Sequence, residues 1–192
     1  EKHLTVEFDL TAEQAKDVAV RAKKKYREII AKLPEFDKRD RFEMNIVNCA
    51  MLAAFILCMP QRPDIKTLTD YYAAAMMTPT MKAFCRASGK KKFTPKDIEG
   101  MKATAKLRAG DRNPYSWNMD FFEYEDGSGY EARFTTCGIC TLMQVLGLYD
   151  LTPALCHLDY TMSDAGGASD FVREYTLASG GPYCDCGYHK KQ

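Results

Sequence analysis

The sequence predicts an α+β protein in which a helical part, residues 1–112, packs on a sheet part, residues 113–192. Apolar residues recur at helical spacing through the first part. After Asn113 and Pro114 the pattern changes to aromatic-rich segments separated by glycine turns, which is typical of antiparallel strands. Because the chain has 192 residues, 46% of them hydrophobic, we expect a single domain with a real core.

Four to five helices are predicted in the helical part. Thr11 and Gln14 have the spacing of a capping box and begin a basic helix that stops before Pro34. The apolar segment Phe42–Leu57 has helical spacing and is expected to be the most buried helix. Further helices are predicted over Ile65–Met77, Thr80–Ala87 and Pro95–Ala109. The three lysines at 90–92 fall between helices and are interpreted as a solvated run of charge.

The sheet part is predicted to contain about four antiparallel strands and two inserted helices. The strands are expected at Ser116–Glu125, Tyr130–Thr136, Asp170–Leu177 and Tyr183–Lys190. The inserted helices are expected at Cys137–Leu146 and Thr152–Ala165. The first two strands form a hairpin, because Gly127 and Gly129 in the intervening turn are free to take positive φ.

Charge and hydropathy narrow the function classes. The longest apolar run, Ala50–Met59, is too short to cross a bilayer, so no membrane partner is expected. Residues 1–112 carry a formal charge of +8 and residues 113–192 carry −7. Acids are interspersed among the basic residues of the first part, so no nucleic-acid partner is expected, while the opposite charges suggest a homodimer. Residues 1–3 do not resemble a leader, so the predicted location is cytoplasmic.

Eight cysteines are the unusual feature of the composition, and we expect free thiols because a chain of this size does not need disulfides to stabilise its core. Cys137 and Cys140 lie where a strand gives way to a helix, and the N–H groups of a first helical turn favour a thiolate. This pair is consistent with a reactive cysteine, a redox pair or, together with Cys184 and Cys186, a four-thiolate zinc site. The alternative is that these cysteines are buried thiols that bind no ligand.

A thiol, a carboxylate and a phenol share one face of the second inserted helix. Cys156, Asp159 and Tyr160 are related by i,i+3 and i,i+4 spacing. Asp159 is a candidate general base, or alternatively a residue that caps or pairs within the protein.

Candidate anion-binding groups also lie in the sheet part. Arg133 and Arg173 are its two arginines, and both are predicted on strands. A half-buried arginine needs an anionic partner, which is either a protein carboxylate or the carboxylate of a substrate. Gly180 and Gly181 could present backbone N–H groups to an anion, or form a plain turn.

Short motifs in residues 115–190 together point to a known family. They are Phe134–Cys140, Leu146-Gly147, Leu151–Tyr160, Phe171–Arg173, Thr176–Gly181 and Cys184-Asp185. This series resembles the L-2-amino-thiazoline-4-carboxylic acid hydrolase family, with departures at Glu174 and Cys186. The resemblance implies hydrolytic opening of a carboxylated 2-amino-thiazoline, or a related cyclic amidine, to a carbamoyl-cysteine-type product.

That chemistry needs a cation for the carboxylate, an attacking water or thiolate, and an acid for the leaving atom. We therefore hypothesise that Arg173 or Arg133 binds the carboxylate and that Asp159 activates water. Cys156 or Cys137 would act as nucleophile or acid. The other residues expected around the substrate are Tyr160, Gly180, Gly181, Cys184 and Asp185.

A second function class fits the same arrangement of helices and cysteine-bearing strands. The arrangement also resembles small-molecule-binding domains of the vinyl-reductase type, which bind ligands or zinc without turning over a substrate. No cofactor is firmly implied by either resemblance, and zinc on Cys137, Cys140, Cys184 and Cys186 is the alternative.

Overall fold

The computed structural model of the chain describes residues 2–191 and has the predicted α+β architecture, with helices packed on one antiparallel sheet. The helices are α1 (Lys2–Glu7), α2 (Ala12–Ile30), α3 (Glu43–Cys58), α4 (Ile65–Met76), α5 (Pro79–Gly89), α6 (Pro95–Arg108), α7 (Gly138–Val145), α8 (Thr152–Cys156) and α9 (Leu158–Gly166). The strands are β1 (Asp120–Glu123), β2 (Gly129–Phe134), β3 (Ser169–Val172) and β4 (Cys184–Lys190).

The helical part follows its local sequence signals closely. The capping box at the start of α2 is formed, with Thr11 Oγ1 accepting from the Gln14 amide and Gln14 Oε1 accepting from the Thr11 amide. Helix α3 is the predicted buried helix, and most of its apolar side chains lie in the core. The exceptions are Met44, Met51 and Leu57, which are exposed. Helix α1 was not predicted; its Leu4 is buried.

No helix within residues 2–191 combines the length and apolar character needed to cross a bilayer. The cytoplasmic location and the homodimer stay predictions.

The sheet has the strand order β1-β2-β4-β3, and all neighbouring strands are antiparallel. Ala132 pairs with Cys186, and both face the helices and are buried. Arg133 pairs with Asp185 on the opposite, outer face of the sheet. Cys184 and Cys186 lie two residues apart on β4, on the same inner face of the sheet, and both are buried.

One predicted strand ends earlier than its sequence pattern suggests, and one predicted helix is interrupted. The third strand stops at Val172, and Leu177 lies in a short 3₁₀ turn capped by Thr176. The predicted helix Thr152–Ala165 is two helices that meet at His157. There the carbonyl of His157 accepts a hydrogen bond from the amide of Tyr160, three residues further on, as in a 3₁₀ turn.

Glycines allow two close approaches of the backbone that shape the site. A Cβ atom at Gly89 would collide with the carbonyl oxygen of Gly166, so α5 and α9 pack backbone to backbone at this point. A Cβ atom at Gly138 would collide with the carbonyl of Tyr115, so the first turn of α7 lies directly against the preceding loop.

Candidate active site

The guanidinium of Arg173 is the centre of a buried polar cluster directly after β3. Its Nη2 donates to Asp159 Oδ2 at 2.5 Å and to Cys186 Sγ at 2.9 Å. Its Nη1 donates to the backbone carbonyl of Cys156 at 3.0 Å. The Arg173 side chain is only 6% exposed, whereas the Asp159 side chain is 44% exposed. The anionic partner of Arg173 is therefore a protein carboxylate, one of the two alternatives that the sequence left open.

Asp185 holds the loop that carries this arginine. Its two carboxylate oxygens accept from the backbone amides of Glu174, at 2.8 Å, and Tyr175, at 2.6 Å. These amides would otherwise continue the β3 ladder, so the hydrogen bonds account for the early end of the strand. Asp185 thus contacts the Arg173 loop from the outer face of the sheet rather than lining either of the pockets described next.

Arg173 lines a first pocket of about 220 Å³. Its lining residues are Pro153, Cys156, His157, Tyr160, Arg173, Glu174, Thr176 and Ser179. Three residues of the predicted site, Cys156, Tyr160 and Arg173, therefore lie together. The ring of Tyr160 packs edge-on against Phe171, with 4.7 Å between the ring centroids.

Asp159 lines a second pocket, of about 260 Å³, between α5, α9 and the sheet. Its lining residues are Phe84, Cys85, Ser88, Gly89, Lys92, Asp97, Tyr130, Asp159, Met162, Ser163, Gly166, Ala168, Ser169 and Tyr188. Asp159 is the one residue of the predicted site among them. The face expected to hold Cys156, Asp159 and Tyr160 is thus divided, because the chain tightens at His157 between the thiol and the carboxylate. The Asp159–Arg173 pair joins the two pockets.

The thiols differ strongly in acidity. Cys137 is the N-cap of α7, and a side-chain hydrogen bond from Cys140, assisted by backbone amides of the first turn, lowers its pKa to about 7 despite burial. The pKa of Cys140 is raised because its proton is held by Cys137. Burial raises the pKa of Cys156, and separately that of Cys186, to about 12. Of these thiols Cys137 is the one whose pKa is lowered, but it does not line either pocket.

Within residues 2–191 no group of three or more His, Cys, Asp or Glu side chains is arranged to hold a metal ion. Two of the four cysteines considered for zinc have other contacts. The sulfur of Cys186 accepts from the Arg173 guanidinium, and the sulfur of Cys184 accepts from the Leu177 amide at 3.2 Å. A cationic donor at a sulfur atom does not suit a metal ligand, so the surroundings of Cys186 do not fit a four-thiolate zinc site.

The glycine amides considered for anion binding are used in a turn. The Gly180 amide donates to the Leu177 carbonyl at 3.1 Å, and the Gly181 amide donates to the Thr176 carbonyl at 2.9 Å. Gly180 has φ of 80°, which explains why glycine suits this position. The plain-turn interpretation therefore accounts for both residues.

Arg133 is not brought to either pocket. It lies on the outer face of the sheet, where its Nε donates to Glu131 Oε1 at 2.7 Å. Its guanidinium also lies over the ring of Tyr183, 4.3 Å from the centroid.

Lys92 is the charged pocket residue that the sequence reasoning missed. Its side chain enters the second pocket, so the expectation of a solvated run is wrong for Lys92 and holds for Lys90 and Lys91, which are exposed. The aromatic ring that covers its ammonium belongs to Tyr188, far along the chain, so no local pattern could have revealed this burial.

Comparison with known proteins gives one result. The model of the family described as L-2-amino-thiazoline-4-carboxylic acid hydrolase matches residues 44–188. This segment contains every lining residue of both pockets. No curated protein and no solved structure matches the chain.

Proposed function

Since the chain belongs to the L-2-amino-thiazoline-4-carboxylic acid hydrolase family, we propose that it opens a carboxylated 2-amino-thiazoline, or a related cyclic amidine, to a carbamoyl-cysteine-type product. The observation that best supports this proposal is the Asp159–Arg173 pair, which holds a half-exposed carboxylate at the wall of a small pocket. Membership of the family supports a hydrolase reaction, and the carboxylate of Asp159 provides the base that such a reaction needs near the reacting carbon.

Asp159 is the proposed general base. Its Oδ2 is held by Arg173, while its Oδ1 accepts no hydrogen bond from any residue in 2–191. A carboxylate oxygen without a protein donor can take a proton from a water molecule that attacks the amidine carbon C2. In this step the C2–O bond forms and the ring C2=N bond becomes a single bond as that nitrogen takes up a proton. The tetrahedral adduct then collapses to the carbonyl of the carbamoyl group as the C2–S bond breaks. One water proton thus ends on the ring nitrogen, and the other, taken by Asp159, passes to the leaving sulfur.

Arg173 is proposed as a positioning residue rather than as the carboxylate-binding residue. Three of its donor hydrogens are already used by Asp159, Cys156 and Cys186, so the guanidinium fixes the carboxylate and the α8–α9 junction in place. Its Nε has no hydrogen-bond partner among residues 2–191, but this atom is buried and is not open to a substrate.

Water is the proposed nucleophile, because the two candidate thiols are unsuited in different ways. With a pKa of about 12, Cys156 is protonated at neutral pH and is a poor nucleophile. Cys137 has the more acidic thiol but lies outside the lining of both pockets.

The test is product formation from L-2-amino-thiazoline-4-carboxylate, followed by mass spectrometry of the carbamoyl-cysteine. Asp159→Asn is expected to lower kcat by about a hundredfold or more, as for loss of a general base. Asp164→Asn is the matched control, because Asp164 lies on the same helix and its side chain is 78% exposed. Cys137→Ala and Cys156→Ala are expected to retain activity.

Several outcomes would contradict the proposal. An inactive wild-type protein, or an Asp159→Asn variant with the wild-type rate, would exclude the proposed reaction or its base. Abolished activity in a folded cysteine variant would assign attack to that thiol instead. Binding of the ring without turnover would favour the small-molecule-binding alternative.

A further inference from the structure

Lys92 is the one basic residue among the lining residues of the second pocket. Its ammonium nitrogen lies 3.2 Å from the ring centroid of Tyr188 and 5.6 Å from that of Tyr130. A third ring, that of Phe93, lies 5.8 Å away. The side chain is therefore held among aromatic rings with its charged end in the pocket.

The ammonium of Lys92 has no hydrogen-bond or ion-pair partner among residues 2–191. The two carboxylates that line the same pocket are engaged elsewhere. Asp97 Oδ2 accepts from the Phe93 amide at 2.8 Å and from the Tyr130 hydroxyl at 3.2 Å, and Asp159 is paired with Arg173. The ammonium therefore has three donors that no residue in 2–191 takes up and that face the pocket, where a ligand can accept from them.

The backbone next to Lys92 is held in an uncommon conformation. Phe93 has φ of 64°, in the left-handed region that an aromatic residue rarely adopts. The hydrogen bond from its amide to Asp97 holds the chain in this conformation. Strained backbone of this kind is typically kept where it orients a functional side chain, here the lysine that precedes it.

The charges of the second pocket describe the ligand it would take. Lys92 offers a cation at one position, and Asp159 offers a half-exposed carboxylate at another. A small molecule with a carboxylate at one end and a cationic nitrogen at the other satisfies both groups, whereas a purely anionic ligand would be repelled by Asp97 and Asp159. The volume of about 260 Å³ suits a single small ring.

We propose that Lys92 binds the carboxylate of the ring substrate in the second pocket, while the amidine end of the ring lies at Asp159. This assignment rests on the proposed function, which it deepens by naming the specificity-determining residue. It also leaves Arg173 free to hold Asp159 and the α8–α9 junction in place.

The experiment measures binding by calorimetry with two ligands that share one ring. They are L-2-amino-thiazoline-4-carboxylate and 2-amino-2-thiazoline, which lacks the carboxylate. Lys92→Met is expected to weaken binding of the carboxylated ligand by about tenfold or more, as for loss of a charged hydrogen bond. Binding of the ligand without a carboxylate should change by less than about twofold. The matched control is Lys91→Met, which removes an exposed charge from the adjacent position and should change neither affinity.

The assignment is overturned if Lys92→Met leaves the affinity for the carboxylated ring unchanged, weakens both ligands equally, or if the wild-type protein binds neither ligand. Lys92→Gln provides a second neutral variant that must show the same selective loss.

The two proposals fail in distinguishable ways. Binding of the carboxylated ring that depends on Lys92, without any carbamoyl-cysteine product, would retain the Lys92 assignment and reject the hydrolase. Hydrolysis with an unchanged KM and an unchanged preference for the carboxylated ring in Lys92→Met would retain the hydrolase and reject the assignment.

Discussion

Replacing Lys92 by methionine is expected to make the protein more stable at neutral pH. Burial lowers the pKa of Lys92 from 10.5 to about 8, despite the opposing charges of Asp97 and Asp159. A shift of this size corresponds to about 3 kcal/mol of unfavourable free energy for the charged form in the folded protein. Contact of the ammonium with the tyrosine rings offsets about 0.5–2 kcal/mol of it. We therefore expect Lys92→Met to raise the free energy of unfolding by about 1–3 kcal/mol at pH 7.

The same pKa shift predicts how the stability difference between the variant and the wild-type protein changes with pH. Because the pKa of Lys92 is lower in the folded protein than in the unfolded chain, the unfolded chain binds more protons between pH 8 and about 10.5. The stability of the wild-type protein therefore gains a contribution from Lys92 as the pH rises through this window. The advantage of Lys92→Met should shrink between pH 7 and pH 10.

Urea unfolding at pH 7 and at pH 10 measures both effects, with Lys91→Met as the control that should stay within about 0.5 kcal/mol of wild type. A variant that is less stable at pH 7, or whose advantage does not change with pH, would refute the reasoning. Confirmation would mean that the chain keeps a cation in its pocket that lowers its stability. Residues that lower stability are common in functional sites.

Three further predictions concern the scaffold of the site. Gly138→Ala is expected to lower the free energy of unfolding by about 1–3 kcal/mol, because the new Cβ meets a backbone carbonyl. Gly100→Ala, in α6 with open space around it, should raise it by about 0.5–1 kcal/mol, and similar effects of the two in urea unfolding would contradict this explanation. Iodoacetamide at pH 7 should alkylate Cys137 about tenfold or more faster than Cys156 by peptide mass spectrometry, and the reverse order would exclude the thiolate assignment. Asp185→Ala should cost about 1–3 kcal/mol and remove the hydrogen-exchange protection of the two amides that follow Arg173, and persistent protection would show that another acceptor holds that loop.

Local signals in the sequence predicted most of the helices. The capping box at Thr11 and the apolar spacing of Phe42–Leu57 are complete within one segment, so they do not depend on the rest of the fold. Helix α1 has six residues, too few for a periodic pattern to be recognised. The third strand was predicted too long because its amides are captured by Asp185 on another strand, which is a contact that residues 170–177 do not reveal.

The candidate site was predicted only in part, because much of it depends on contacts between segments that are distant in the sequence. Cys156 and Tyr160, which the i,i+4 spacing placed on one face, line the same pocket. The position of Asp159 in a different pocket, and its pairing with Arg173, depend on how α9 lies against the sheet. Such tertiary contacts are not encoded in the period of either segment.

The contact between Gly89 and Gly166 has a consequence for ligand size. Both glycines line the second pocket, and the two helices touch there through their main chains rather than through side chains. The width of the pocket is consequently fixed by the backbone, which no change of rotamer can widen. Any side chain at Gly89 would force α5 away from α9 and enlarge the opening between them. This contact is therefore the position at which the chain could be adapted to bulkier rings without altering a charged group.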